Sequence, residues 1–127
     1  MITKKSQFDV NETINRLELA LNEKGIKPVA RVDHAAAARL VDMELRPTQV
    51  LFFGNPKLGT PLMQSDQTAG LELPMRVLAW ETEDGSTWLA YNSPQAIVDR
   101  LNLQTVADAV DKLVNVLDAL TDYATKE

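Results

Sequence analysis

The segment Gly54-Asn55-Pro56-Lys57-Leu58-Gly59-Thr60-Pro61-Leu62-Met63 follows the apolar run Val50-Leu51-Phe52-Phe53 and brings an amide, a cation and a hydroxyl together on a backbone punctuated by glycine and proline. Gly54 and Gly59 have the separation of the two glycines in a phosphate-cradling loop, but Thr60 stands where that motif needs lysine and Pro61 where it needs the metal-binding hydroxyl. Hydrolysis of a nucleoside triphosphate therefore has little support. A looser anion site remains, in which the backbone amides near Gly59, a helix start at Pro61 and the cation of Lys57 hold a carboxylate or a single phosphate. The competing reading is that these glycines and prolines serve turn geometry alone.

His34 is the second candidate and the chain's one histidine. Asp33 sets it at the start of a helix. If the strand ends converge, His34 faces Asn55 and Lys57 across a pocket, as a hydrogen-bond partner or a general base; otherwise it caps or packs locally. No cysteine is present and no ligand spacing suggests a metal site. Glu12, Glu81, Glu83 and Asp84 are spread over a helix face and a turn, so no carboxylate pair suits acid and base roles, and no activated nucleophile is evident. Trp80, Trp88, Tyr91, Phe52, Phe53 and Met63 fit a core or a dimer surface better than a pocket.

The elements that would position these groups can be read from periodicity. Asp9-x-x-Glu12 resembles a capping box, and Val10, Ile14, Leu17 and Leu21 mark one helix face up to Gly25. Ile26 to Val32 alternates as a strand, with Pro28 pointing to a sheet edge or a strand start rather than the sheet centre. Asp33 caps a short alanine-rich helix to about Asp42. Val50 to Phe53 reads as a buried strand. Thr60-Pro61 reads as cap and first turn of a helix through about Gln67. Met75 to Glu81 and Thr87 to Asn92 flank Glu83-Asp84-Gly85-Ser86, a hairpin signal. Ser93-Pro94 starts a short helix, and Thr105-x-x-Asp108 a long one striped with Val106, Val110, Leu113, Val114, Leu117 and Leu120. An antiparallel or mixed sheet backed by helices, in one α+β domain, fits this order.

The 127 residues carry a formal net charge of −5, and 45% of them are hydrophobic. That balance supports an ordinary core and argues against generic binding to nucleic-acid phosphates. The first residues lack the apolar core of a signal peptide, no run suits a membrane span, and the missing cysteines give secretion no support; a cytoplasmic location is expected.

Asp33-His34-Ala35-Ala36-Ala37-Ala38, Leu45-Arg46-Pro47-Thr48, Phe53-Gly54-Asn55-Pro56-Lys57, Gly59-Thr60-Pro61-Leu62-Met63, Gly70-Leu71-Glu72-Leu73-Pro74 and Tyr91-Asn92 occur in this order, within a stretch of similarity from roughly residue 8 to residue 103. Together they resemble the domain of unknown function 302 family. The resemblance implies a compact α+β domain similar to the TATA-box-binding-protein-like fold, usually homodimeric and without an assigned enzymatic activity. Two features depart from the pattern: Asp66-Gln67-Thr68 replaces a stretch that often carries proline, and Leu101 stands where histidine is common. The leading expectation is a non-enzymatic homodimeric module that binds a small polar or anionic ligand through His34, Asn55, Lys57 and Thr60, with no cofactor or metal. The alternatives are a structural or protein-interaction domain, and a hydrolase or isomerase using His34 as base and Lys57 as charge stabiliser.

Overall fold

The computed structural model describes all 127 residues. In chain order the elements are β1 (Ile2–Ser6), α1 (Val10–Glu23), β2 (Pro28–Asp33), α2 (His34–Leu40), β3 (Thr48–Phe53), α3 (Pro56–Ser65), a 3-10 turn (Gln67–Leu71), β4 (Met75–Glu81), β5 (Thr87–Tyr91), α4 (Pro94–Leu101) and α5 (Ala107–Thr125). The strands form one sheet in the order β1-β5-β4-β3-β2, antiparallel throughout. The α+β class is therefore as the sequence suggests, and Pro28 opens an edge strand, where its missing N–H costs no ladder bond.

Alternation along the strands divides the sheet into two unlike faces. Leu51 and Phe53 of β3, Val77 and Ala79 of β4, and Leu89 and Tyr91 of β5 are buried in the core with Ile14, Leu17 and Leu21 of α1 and Leu113, Leu117 and Leu120 of α5. On the opposite face Val50 and Ala90 are buried, whereas the larger Phe52, Leu78, Trp80 and Trp88 are only half-buried. Trp80 and Trp88 stand directly across from each other in the β4–β5 register.

Helix α1 begins where Asp9 Oδ1 accepts from the Glu12 amide at 2.7 Å, and the chain leaves it at Gly25, whose φ of 72° is costly for any residue with a Cβ. Asp33 caps α2 by accepting from the Ala36 amide at 2.9 Å, and Ser93 caps α4. In the hairpin, Gly85 takes a φ of 86° while Asp84 accepts from the Ser86 amide at 3.0 Å and from the Thr82 hydroxyl. These two bonds, the Thr82 hydroxyl first, hold the Asp84 carboxyl at about 2.

Three elements depart from the local signals. Strand β1 has a single strongly apolar residue and no strand signal of its own. It forms because it zips onto β5 and reaches α5, where Lys4 Nζ meets Asp118 Oδ1 and Asp122 Oδ1, each at 2.8 Å. Partial burial by itself would lower the Lys4 pKa; the bonds to these two carboxylates outweigh it and raise it, while the Lys4 bond lowers that of Asp122. Secondly, the Thr105-x-x-Asp108 box does not cap α5. Val106 is buried, Thr105 takes a φ of 58°, and no side chain caps the helix. Burying Val106 outweighs the cap.

The third correction concerns Thr60-Pro61. Helix α3 starts earlier, with Asn55 as cap and Pro56 in the first turn, so Pro61 lies inside the helix and leaves the Lys57 carbonyl without its usual amide donor. The segment punctuated by glycine and proline is mostly helix. Neither Gly54 nor Gly59 has a positive φ; those values belong to Gly25 and Gly85.

Candidate functional site

The start of α3 separates two concave regions that share Gly54, Asn55 and Pro56. On one side is an open cleft of about 370 Å³, lined by Gly59, Thr60 and Met63 of α3, by Gly70, Leu73 and Pro74, by Met75 of β4 and by Leu113 of α5. Its volume is in the range of small-molecule sites, and so is its apolar wall with few polar groups. Val29 completes the wall because β2 carries a register shift between Pro28 and Ala30, which leaves this apolar side chain 66% exposed at the mouth.

The small residues of this segment have a packing role. A Cβ at Gly59 would meet only Leu73 Cδ1, at 3.5 Å, and one at Gly54 would lie 3.4 Å from Pro74 Cβ. Glycine at 59 keeps the cleft wide. Glycine at 54 lets β3 close on the segment before β4.

On the other side is a groove of about 500 Å³ lined by Lys24, Gly25, Ile26 and Lys27 together with Gly54, Asn55, Pro56 and Lys57. The amides of α3 do not open into either region as an anion cradle. The Lys57 amide donates to Asn55 Oδ1 at 3.0 Å, and those of Leu58 and Gly59 donate to the Asn55 carbonyl at 2.9 Å each. The sequence-level picture of free amides near Gly59 and a helix start at Pro61 is thereby replaced. Any negative charge must be met by the lysine side chains.

Of the sequence candidates, Asn55 and Thr60 share the cleft, and Asn55 and Lys57 share the groove. His34 lines neither. It lies on the less covered face of the sheet, in a separate hollow of about 330 Å³ with Phe52, Arg76, Leu78 and Asn92. The expectation that His34 faces Asn55 and Lys57 fails because β2 delivers α2 to the sheet face opposite α1 and α5, whereas β3 delivers Asn55 to the sheet end. Residues that the sequence reading passed over are Lys24 and Lys27, brought beside Lys57 by the turn after α1, and Val29, exposed by the bulge. Two lysines flanking a helix-stopping glycine were a visible signal; their proximity to Lys57 was not.

No set of histidine, cysteine, aspartate and glutamate side chains is grouped for a metal. The three shifted carboxylates are each accounted for by their hydrogen bonds, Asp66 by the Thr68 hydroxyl and amide, Asp84 by Thr82 and Ser86, and Asp122 by Lys4, and none of them lines the cleft or the groove.

The family described as "Domain of unknown function DUF302" matches residues 2–120. The chain belongs to this family. The DUF302 fold is also that of an uncharacterised conserved DUF302 protein from Bacillus stearothermophilus, whose crystal structure superposes with a TM-score of 0.85 at 20% identity, covering 97% of this chain and 96% of that one.

Among curated proteins, this DUF302 domain is 39% identical over 125 residues to fluoride-specific ion channel FluC 1 of Brucella suis biovar 1 (strain 1330), covering 98% of the chain and 49% of that protein. Fluoride-specific ion channel FluC 2 of Brucella melitensis biotype 1 matches at the same identity over 46% of its length. The chain thus spans about half the length of the curated relatives it matches. No helix of this DUF302 domain is long and apolar enough to cross a membrane.

Proposed function

We propose that this DUF302 domain is a cytoplasmic, non-enzymatic binding module that works as a homodimer and takes a small polar or anionic ligand at the start of α3. The observation that carries the reading is the shared wall Gly54-Asn55-Pro56, with an apolar cleft on one side and a cationic groove on the other. Asn55 and Thr60 supply polar contacts in the cleft, and Lys57 supplies charge. His34 has no part in this site.

The homodimer is supported by the second face of the sheet. Phe52, Leu78, Trp80 and Trp88 are half-buried there, and Leu40, Val41, Met43 and Leu45 are exposed at the end of α2 and just beyond it. A twofold copy is an economical cover for such a face. The test of the ligand site is chemical-shift mapping with a metabolite panel. Shifts at Asn55, Lys57 and Thr60 that Thr60→Leu abolishes are the expected result. A panel that leaves all three unmoved ends the ligand reading, and monomeric behaviour at micromolar concentration ends the dimer.

A second reading is favoured by one observation, the 39% identity to half of each protein named a fluoride-specific ion channel. In this reading the domain works beside such a channel, and its ligand or partner adjusts fluoride passage. Fluoride efflux measured with and without the domain tests this; identical efflux removes the reading.

A further inference from the structure

Resting on the reading that the α3 cleft is a ligand site, we propose that its ligand is an anionic amphiphile. Its apolar body lies in the cleft and its acidic head among Lys24, Lys27 and Lys57. Two properties of the adjoining regions point to this class of molecule, and neither property alone would.

The first is the composition of the cleft. Val29, Met63, Leu73, Pro74, Met75 and Leu113 make its wall, against which Asn55 and Thr60 are the only side-chain hydrogen-bonding groups. Asn55 Oδ1 already accepts from the Lys57 amide, which leaves its NH2 group and the Thr60 hydroxyl for a ligand. Such a wall favours hydrocarbon by removing it from water. A small hydrophilic anion lying wholly inside would lose hydration that two neutral groups do not replace.

The second is the charge of the groove. Its eight lining residues include three lysines and no carboxylate, in a chain with 18 acidic residues against 13 basic ones. Glu23 precedes Lys24 but does not line the groove. None of the three ammonium groups is engaged in an ion pair, whereas Lys4, Arg31, Arg100 and Lys126 are. Because the α3 amides are already bonded to Asn55, recognition falls to flexible point charges, which take a carboxylate or a phosphate head alike. The ridge Gly54-Asn55-Pro56 between the two regions has one small residue and no charge, so a molecule can lie across it.

The experiment is a titration of octanoate, octyl phosphate, octanol and inorganic phosphate, all below micelle formation, followed by chemical shifts and calorimetry on the wild type and on the triple variant Lys24→Ala, Lys27→Ala, Lys57→Ala. These exposed lysines carry no contact that folding needs. Octanoate and octyl phosphate should bind at least tenfold more tightly than octanol or phosphate. Each lysine should contribute about two- to fivefold, the triple variant should lose about 30-fold, and added salt should weaken binding. The stronger of the two acidic probes identifies the head group.

Octanol binding as tightly as octanoate, with no effect of the triple variant, overturns the amphiphile while leaving the cleft a ligand site. Inorganic phosphate binding at the lysines with no shift at Thr60 overturns it as well. No shift at Asn55 or Thr60 with any of the four overturns both this inference and the reading it rests on. Binding to vesicles of phosphatidylcholine and phosphatidylglycerol without any response to the soluble amphiphiles makes the groove a membrane contact and overturns the cleft's part.

Discussion

The two faces of the sheet carry nearly equal numbers of apolar side chains and use them differently. On one face Leu51, Val77 and Leu89 have no exposure, sealed beneath α1 and α5. On the other, only Val50 and Ala90 are buried, and Phe52, Leu78, Trp80 and Trp88 are less covered, with the seven-residue α2 as the helix on that side. A residue's hydrophobicity thus does not indicate whether it stabilises the monomer. What decides is whether the chain has an element long enough to cover it, and here the two long helices were both committed to the same face.

The contrast would break first at Leu51. Leu51→Ala should cost about 2–5 kcal/mol in denaturant unfolding, since a fully enclosed leucine leaves a cavity behind; a loss below ~1 kcal/mol would mean that the helix-covered face is not the stabilising one. Next, Trp88→Ala should cost the monomer only ~1 kcal/mol while weakening self-association by ~2 kcal/mol, about 30-fold, in sedimentation equilibrium. The reverse ranking would make the aromatic pair a core feature of the monomer.

Smaller effects sharpen the boundary between stability and binding. Gly59→Ala should raise stability by about 0.5–1 kcal/mol, because the position is helical and a Cβ there makes only ordinary contact with Leu73. It should also narrow the cleft and weaken any ligand held there. A destabilised Gly59→Ala protein would show that α3 needs glycine for its backbone. Smallest is the hairpin turn, which belongs to neither face. The Asp84 carboxyl is held at about 2 against an ordinary 3.8, so its contribution is complete above pH 3.8 and is lost as pH falls through 2. Thermal melts of Asp84→Asn and wild type should differ by a constant amount near neutral pH and converge toward pH 2. A difference that persists at pH 2 would assign the effect to something other than the charge.

Much of the candidate site was legible as a list of residues and little of it as an arrangement. Asn55, Lys57 and Thr60 stood out because amide, cation and hydroxyl sit among glycines and prolines. Their order misled, since Thr60-Pro61 is as good a helix start as Asn55-Pro56 on local grounds. The earlier start is the one Asn55 caps, its Oδ1 accepting from the Lys57 amide, and the helix it begins places Leu62 in the core with no exposure. His34 was chosen for its chemistry, and its location depended on which side of the sheet α2 would take, which no local signal encodes.

By itself the sequence determined the elements whose signals are local. Asp9, Asp33 and Ser93 set helix starts through their own side-chain oxygens, Gly25 and Gly85 allow left-handed turns, and the strand alternation of β4 and β5 fixes which residues share a face. Tertiary structure decided β1, the true starts of α3 and α5, the bulge at Val29, and the meeting of Lys24, Lys27 and Lys57. Each of these depends on partners distant in the chain: β5 and α5 for Lys4, the core for Leu62 and Val106, the turn after α1 for Lys57. Such contacts repay a local penalty only once the chain has closed on itself, so no window of sequence contains the information that selects them.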